Sequence, residues 1–297
     1  MSASRVSVAP AILTRQAAYW ALTKPDVTFL VVLTTVAGFY LGSSAPVDLA
    51  RLGATVLGTA LMGAGTAALN HYLERDSDCR MRRTSARPLP LGTLSPGEAL
   101  AFGLSLNLAG ALLLALEANL LASLLGIFTA VAYLGLYTPL KRYTHHATTL
   151  GSFPGAVPAL IGWAAARGSI SVDGWILFGI LFLWQFPHFL SIAWIYRKDY
   201  ERAGLRMISV GDTTGSATFG QIVWTAALLV PVSLLPAVTG LASLHYFFEA
   251  LVLGMMLVSM CLWVARSKSN VHAKWLMHAT AVYLTVLLAL LMLNKAR

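Results

Sequence analysis

Apolar stretches recur from residue 27 to the end of the chain, at about 27–44, 52–73, 99–117, 119–137, 147–166, 174–196, 217–239, 246–265 and 276–294. Each is close to the roughly 20 residues that cross a bilayer as a helix. The composition agrees: 57% of the 297 residues are hydrophobic and 11% are charged, against about 25% charged in an ordinary soluble domain. No stretch suits a soluble domain. The expected fold class is all-α, a polytopic membrane bundle of nine transmembrane helices. It forms one transmembrane domain over 1–297, with 1–24 as a cytoplasmic N-terminal segment. That segment lacks a compact apolar core, so no cleavable signal is expected. It could lie in the interface as a short helix, with Tyr19 and Trp20 at headgroup level.

The connections support this count. Glu117-Ala118-Asn119 breaks the long run 99–137 into a tight hairpin. Pro154, Pro158, Pro187, Pro231 and Pro236 fall inside spans, where each removes a helix hydrogen bond that neighbours or water must replace. Gly53, Gly58, Gly63 and Gly65 permit close helix packing. Cys79 and Cys261 are far apart, form no metal-ligand pattern, and are not expected to pair.

Charge sets the orientation. With the N-terminus cytoplasmic, the inner segments hold Arg5, Arg15, Lys24, Arg75, Arg80, Arg82, Arg83, Arg87, Lys141, Arg142, Arg197, Lys198, Arg202, Arg206, Arg266, Lys268 and Lys274. The outer segments hold Arg51, Arg167, Lys295 and Arg297. This 17-to-4 split of the 21 basic residues is a positive-inside pattern. It places the protein in the cell (inner) membrane with its C-terminus outside. The net charge of +9 belongs to the cytoplasmic face and its anionic headgroups, and is no argument for nucleic-acid binding.

One segment carries chemistry. Residues 70–78 read Asn-His-Tyr-Leu-Glu-Arg-Asp-Ser-Asp at the inner end of an apolar run. Asn70, Glu74 and Asp78, spaced i, i+4, i+8, share one stripe of a helix. Oxygen donors in a row suit a hard cation such as Mg²⁺. The arginines beside them (Arg75, Arg80, Arg82, Arg83, Arg87) suit a diphosphate at the membrane surface. The plain alternative is a charged loop that only sets topology. His71, one residue from the stripe, is either a site residue or a core histidine. Three inner loops mix acids and bases, whereas the outer loops hold few charges. A polar site facing the cytoplasm over an apolar chamber follows, suited to a substrate with an anionic head and a greasy tail.

With Arg83-Thr84 and Arg87-Pro88 after it, this segment resembles the first signature, N-x-x-x-D-x-x-x-D, of the intramembrane aromatic prenyltransferase superfamily. Asp76, the run Gln185-Phe186-Pro187-His188-Phe189, and Lys198-Asp199-Tyr200 through Ala203-Gly204 resemble its protohaem IX farnesyltransferase branch. Three positions depart from the pattern. Glu74 stands where the family has Asp, Asp199 is the chief acid of the second signature, and His145-His146-Ala147-Thr148 lacks an asparagine found in relatives.

The resemblance implies transfer of farnesyl from farnesyl diphosphate to a vinyl group of haem b, with Mg²⁺ as cofactor. On that reading Asn70, Glu74 and Asp78 hold one Mg²⁺, and Asp199 holds a second or orients Lys198. Arg83, Lys141, Arg142 and Lys198 clamp the diphosphate. His188 and Arg87 lie on the haem side, although Arg87 could instead meet the second phosphate or lipid, and His188 could be a polar residue satisfying the Pro187 kink. The lipid bilayer is a partner throughout, and a haem A synthase or the assembly machinery of a terminal oxidase is an implied protein partner. Two other readings stay open: a relative acting on a quinone precursor or chlorophyll-like ring, and a non-enzymatic transporter or assembly protein.

Overall fold

A computed structural model describes residues 13–44 and 46–296; Arg5 and Arg297 lie outside the described residues. Those residues form helices and no named strand. In order they are α1 (Arg15–Leu22), α2 (Pro25–Gly42), α3 (Leu49–Asp78), α4 (Pro96–Leu113), α5 (Leu120–Val131), α6 (Thr138–Leu140), α7 (Ala147–Arg167), α8 (Val172–Ile195), α9 (Arg197–Arg202), α10 (Ser216–Val238), α11 (Leu244–Ser267) and α12 (Asn270–Leu293). A π-helical turn, Leu114–Ala118, extends α4, and another, Ala132–Tyr137, joins α5 to α6.

Among the described residues, eight helical spans are long and apolar enough to cross a membrane. The expected stretch at 147–166 is also a long helix, α7, but it is not one of these eight. Its composition has a physical reason. Most of α7 is buried in the bundle, so small residues replace the large apolar ones that lipid would require. A Cβ added to Gly38 of α2 would lie 2.1 Å from the Ala159 carbonyl oxygen, so the α2 and α7 backbones touch. Thr35 Oγ1 donates to the Pro158 carbonyl across the same contact at 3.1 Å.

The hairpin at Glu117–Asn119 forms as its residues require. Asn119 caps α5 by accepting from the Ala122 amide at 2.9 Å, and its Nδ2 donates to the Ala164 carbonyl at 2.7 Å. Gly58 and Gly65 lie against α4 at close range, whereas Gly53 faces open space. The N-terminal segment does contain a helix. In α1, Ala18 and Leu22 pack on Ala68, Leu94 and Ala99, while Trp20 is exposed.

Alternation of the long helices gathers the end of α3, α6, the start of α7 and the end of α8 at one face of the bundle. The opposite face is tied by cations on helix carbonyls. Arg167 Nε donates to Gly42 at 2.8 Å, and Lys295 Nζ donates to Tyr40 at 2.7 Å and Ser43 at 2.6 Å.

Candidate active site

The stripe on α3 is real geometry. Asn70, Glu74 and Asp78 are all buried, at the end of the helix where α5–α6 and the loop 79–95 converge. Each oxygen donor faces a cation. Lys24 Nζ donates to Asn70 Oδ1 at 2.6 Å. Lys141 pairs with Glu74. Arg87 Nη1 donates to both carboxylate oxygens of Asp78, at 2.8 and 2.7 Å.

Local structure delivers these cations. The π-helical turn Ala132–Tyr137 re-aims the end of α5, a common use of such turns at functional sites. Thr138 then accepts from Asn70 Nδ2 at 3.2 Å, and Lys141 follows within one turn. After α3, the amides of Arg80, Met81, Thr84 and Arg87 bond to carbonyls three residues back. These successive turns fold the loop onto itself and return Arg87 to Asp78. Lys24 reaches in from a left-handed backbone, φ 45°, which is unfavourable for a lysine and marks a constrained position.

Two carboxylates thus meet Lys141, Arg87 and, when it is protonated, Lys24, which leaves the cluster net positive. Burial drives the Lys24 amine down to about 7, helped by Arg87 and Lys141. Burial also acts to lower Lys141, yet the Glu74 carboxylate and the Tyr137 and Tyr133 hydroxyls beside it prevail and hold it well above the usual lysine value. A pocket with more positive than negative charge, walled from water, suits an anion.

The UbiA prenyltransferase family matches residues 31–293. This chain belongs to that family. It is 44% identical over 286 residues to a protein of Solibacter usitatus named protoheme IX farnesyltransferase, covering 93% of this chain and 98% of the relative. The fold matches a solved digeranylgeranylglyceryl phosphate synthase with a TM-score of 0.77 at 15% identity, over 94% of this chain and 98% of that one. It also matches a UbiA homologue from Archaeoglobus fulgidus bound to GPP and Mg²⁺, with a TM-score of 0.64 at 15% identity, over 92% of this chain and 99% of that one.

In this UbiA-family member the remaining candidates divide. Arg142 joins the cluster by donating to Ser77 Oγ at 2.9 Å. Asp199 is nearby but engaged: its Oδ2 accepts from the Arg83 amide at 3.3 Å, and its other oxygen pairs with Arg202. The Arg83 guanidinium lies over the Tyr196 ring, 4.6 Å from its centroid. Lys198 is exposed and lines a cavity of about 190 Å³ together with Asp199, Tyr196, Arg197 and Asn270. His188 sits elsewhere, between α8 and α12. Its Nδ1 is 2.9 Å from Thr280 Oγ1, and its ring stacks on Trp184. Arg87 is bound to Asp78 rather than free.

Among the described residues no three His, Cys, Asp or Glu side chains converge as a metal site. The oxygen donors along the stripe are the Asn70 amide and the two carboxylates, each paired here with Lys24, Lys141 or Arg87; by their chemistry they are a set that suits a hard cation. Sequence reasoning missed Lys24 and Thr138 as site residues. The Lys24-Pro25 pair at the mouth of the first span was the available signal for Lys24.

Proposed function

We propose that this protein transfers farnesyl from farnesyl diphosphate to a vinyl group of haem b, with addition of water, giving haem O and diphosphate, at the cytoplasmic face of the cell (inner) membrane. The observation that carries the reading is the buried row Asn70, Glu74, Asp78 opposed by Lys24, Lys141 and Arg87. Its oxygens fit Mg²⁺ and its cations fit a diphosphate. The names borne by its relatives support the farnesyl donor and the haem acceptor. The basic split supports the orientation, with α7 as a ninth crossing and the whole chain as one domain.

Asn70, Glu74 and Asp78 would hold Mg²⁺, with Asp199 at the edge of the site for a second ion. When bound, Mg²⁺ supplies Lewis-acid stabilisation of the departing diphosphate. Lys24, Lys141, Arg87 and Arg142 bind and orient the phosphates, and Arg83 closes the rim. Their preorganised charge in a dry site favours breaking the allylic C–O bond, whose electron pair leaves on diphosphate. The vinyl π electrons then form the new C–C bond. Water adds to the cation left beside the porphyrin ring and loses a proton. His188, stacked on Trp184 between α8 and α12, serves the acceptor side. Lys198, exposed beside Asp199, joins the clamp from the rim of the site.

The test is purified protein with haem b, farnesyl diphosphate and Mg²⁺. The expected result is pyrophosphate release together with a pigment heavier by a farnesyl group plus a hydroxyl group. Prenylation of a hydroxybenzoate with haem b untouched overturns the acceptor. No Mg²⁺-dependent release of pyrophosphate overturns the enzyme reading altogether.

A further inference from the structure

His71 has a feature that its packing does not explain. It is only 3% exposed, and neither ring nitrogen has a hydrogen-bond partner. Buried polar groups in folded proteins are nearly always partnered, and an orphan is costly in a dry interior. A position serving only to fill space would be met more cheaply by an apolar side chain.

The helix places the ring at the candidate site. At about 100° per residue, His71 lies roughly 60° from Glu74 and roughly 20° from Asp78 around α3. It therefore shares their face. Its position is one turn deeper in the bundle than Glu74, by about 4.5 Å along the axis. The charges that bear on the ring are those of Lys24 and Arg87, two of the cations already placed on the cluster. A neutral imidazole carries one N–H donor and one acceptor nitrogen. In a cationic neighbourhood the partner drawn to that donor is an anionic oxygen.

We infer that His71 donates a ring N–H to a diphosphate oxygen of the prenyl substrate, making it a diphosphate-binding residue beside Asn70, Glu74 and Asp78. This rests on the prenyl diphosphate reading above. It also accounts for the orphaned ring, since the hydrogen bond is completed only when the substrate is bound.

The test measures binding of farnesyl thiolodiphosphate, a slowly ionising analogue, to the purified full-length protein with Mg²⁺, alongside heat denaturation with and without the analogue. His71→Leu removes the donor and the orphan together. Its dissociation constant should rise roughly ten- to a hundred-fold, the range for losing a hydrogen bond to a charged group. Its ligand-free melting temperature should equal or exceed that of the wild type. Its stabilisation by the analogue should shrink, while haem b uptake stays unchanged. His71→Asn, which keeps an N–H donor, should recover part of the lost affinity. If His71→Leu does not accumulate as folded protein, His71→Met is measured in the same way. A variant that binds the analogue as tightly as the wild type, or that loses ligand-free stability while keeping affinity, overturns the inference and makes the ring a packing residue. A wild type that binds no prenyl diphosphate sinks the underlying reading instead.

Discussion

Changing Asp78 to Asn separates the structural work of that carboxylate from its chemical work. Asp78 is fully buried, and both of its oxygens accept from Arg87 Nη1, at 2.8 and 2.7 Å. Removing one member of a buried ion pair costs about 3–5 kcal/mol, because the other charge is stranded. Arg87 retains 22% exposure of its side chain, and the Asn oxygen still accepts one hydrogen bond, so the loss should fall near or below the low end, at about 2–3 kcal/mol. A domain with ~5–15 kcal/mol of stability remains folded. Turnover should suffer more. Outer partners of metal ligands are worth about 10–100-fold, so loss of the ligand's own charge should exceed 100-fold. The double variant Asp78→Asn with Arg87→Gln removes the stranded charge. It should regain most of the lost heat stability and none of the turnover. Asp76→Asn is the control. Its side chain is 74% exposed and has only Arg75 at 3.9 Å, an exposed pair worth ~0–1 kcal/mol. It also points about 120° from Asn70 around the helix. Heat denaturation and Mg²⁺-dependent pyrophosphate release, measured on the same preparations, give both quantities. Equal loss of turnover in Asp76→Asn and Asp78→Asn, or turnover restored in the double variant, would refute the ligand stripe.

Three further outcomes are expected. Gly38→Ala places a Cβ 2.1 Å from the Ala159 carbonyl oxygen, so it should lose about 1–3 kcal/mol of heat stability; Gly53→Ala, with nothing within 4 Å, should gain a little, and equal responses would contradict the α2–α7 contact. His188→Ala should weaken haem b uptake or slow transfer while farnesyl diphosphate binding stays near the wild-type value; conversion of haem b at the normal rate would reduce His188 to a partner of Thr280. In a Cys79→Ser background, an impermeant thiol reagent applied to intact cells should label Glu117→Cys and not Leu91→Cys, and the reverse pattern would invert the orientation.

What the sequence reveals and what it conceals here differ by the range of the interactions involved. The helices and the Asn70–Glu74–Asp78 stripe are local. Long apolar runs must close their own hydrogen bonds in lipid, and a spacing of four residues keeps side chains on one face. The partners of the stripe are not local. Lys24 stands 46 residues before Asn70, and the Asp199 carboxylate is 116 residues from the Arg83 amide that it accepts from. No periodicity connects such pairs; only the packing of α2, α3 and the segment after α8 does. Arg87 was visible as a nearby charge, but its bond to Asp78 depends on the run of turns from Arg80 to Arg87, each too weak a signal to read alone. The π-helical turn at Ala132–Tyr137 likewise has no proline within it to announce it, although it sets where Thr138 and Lys141 point. α7 shows the converse. Its modest hydropathy is the signature of a helix surrounded by protein, and that is legible only once Gly38 and Ala159 are seen to touch. The same reasoning explains why the sequence left His71 open between a site residue and a core histidine. A histidine one step off a ligand stripe reads either way until the azimuths of Glu74 and Asp78 are compared with its own and both ring nitrogens are found without a partner.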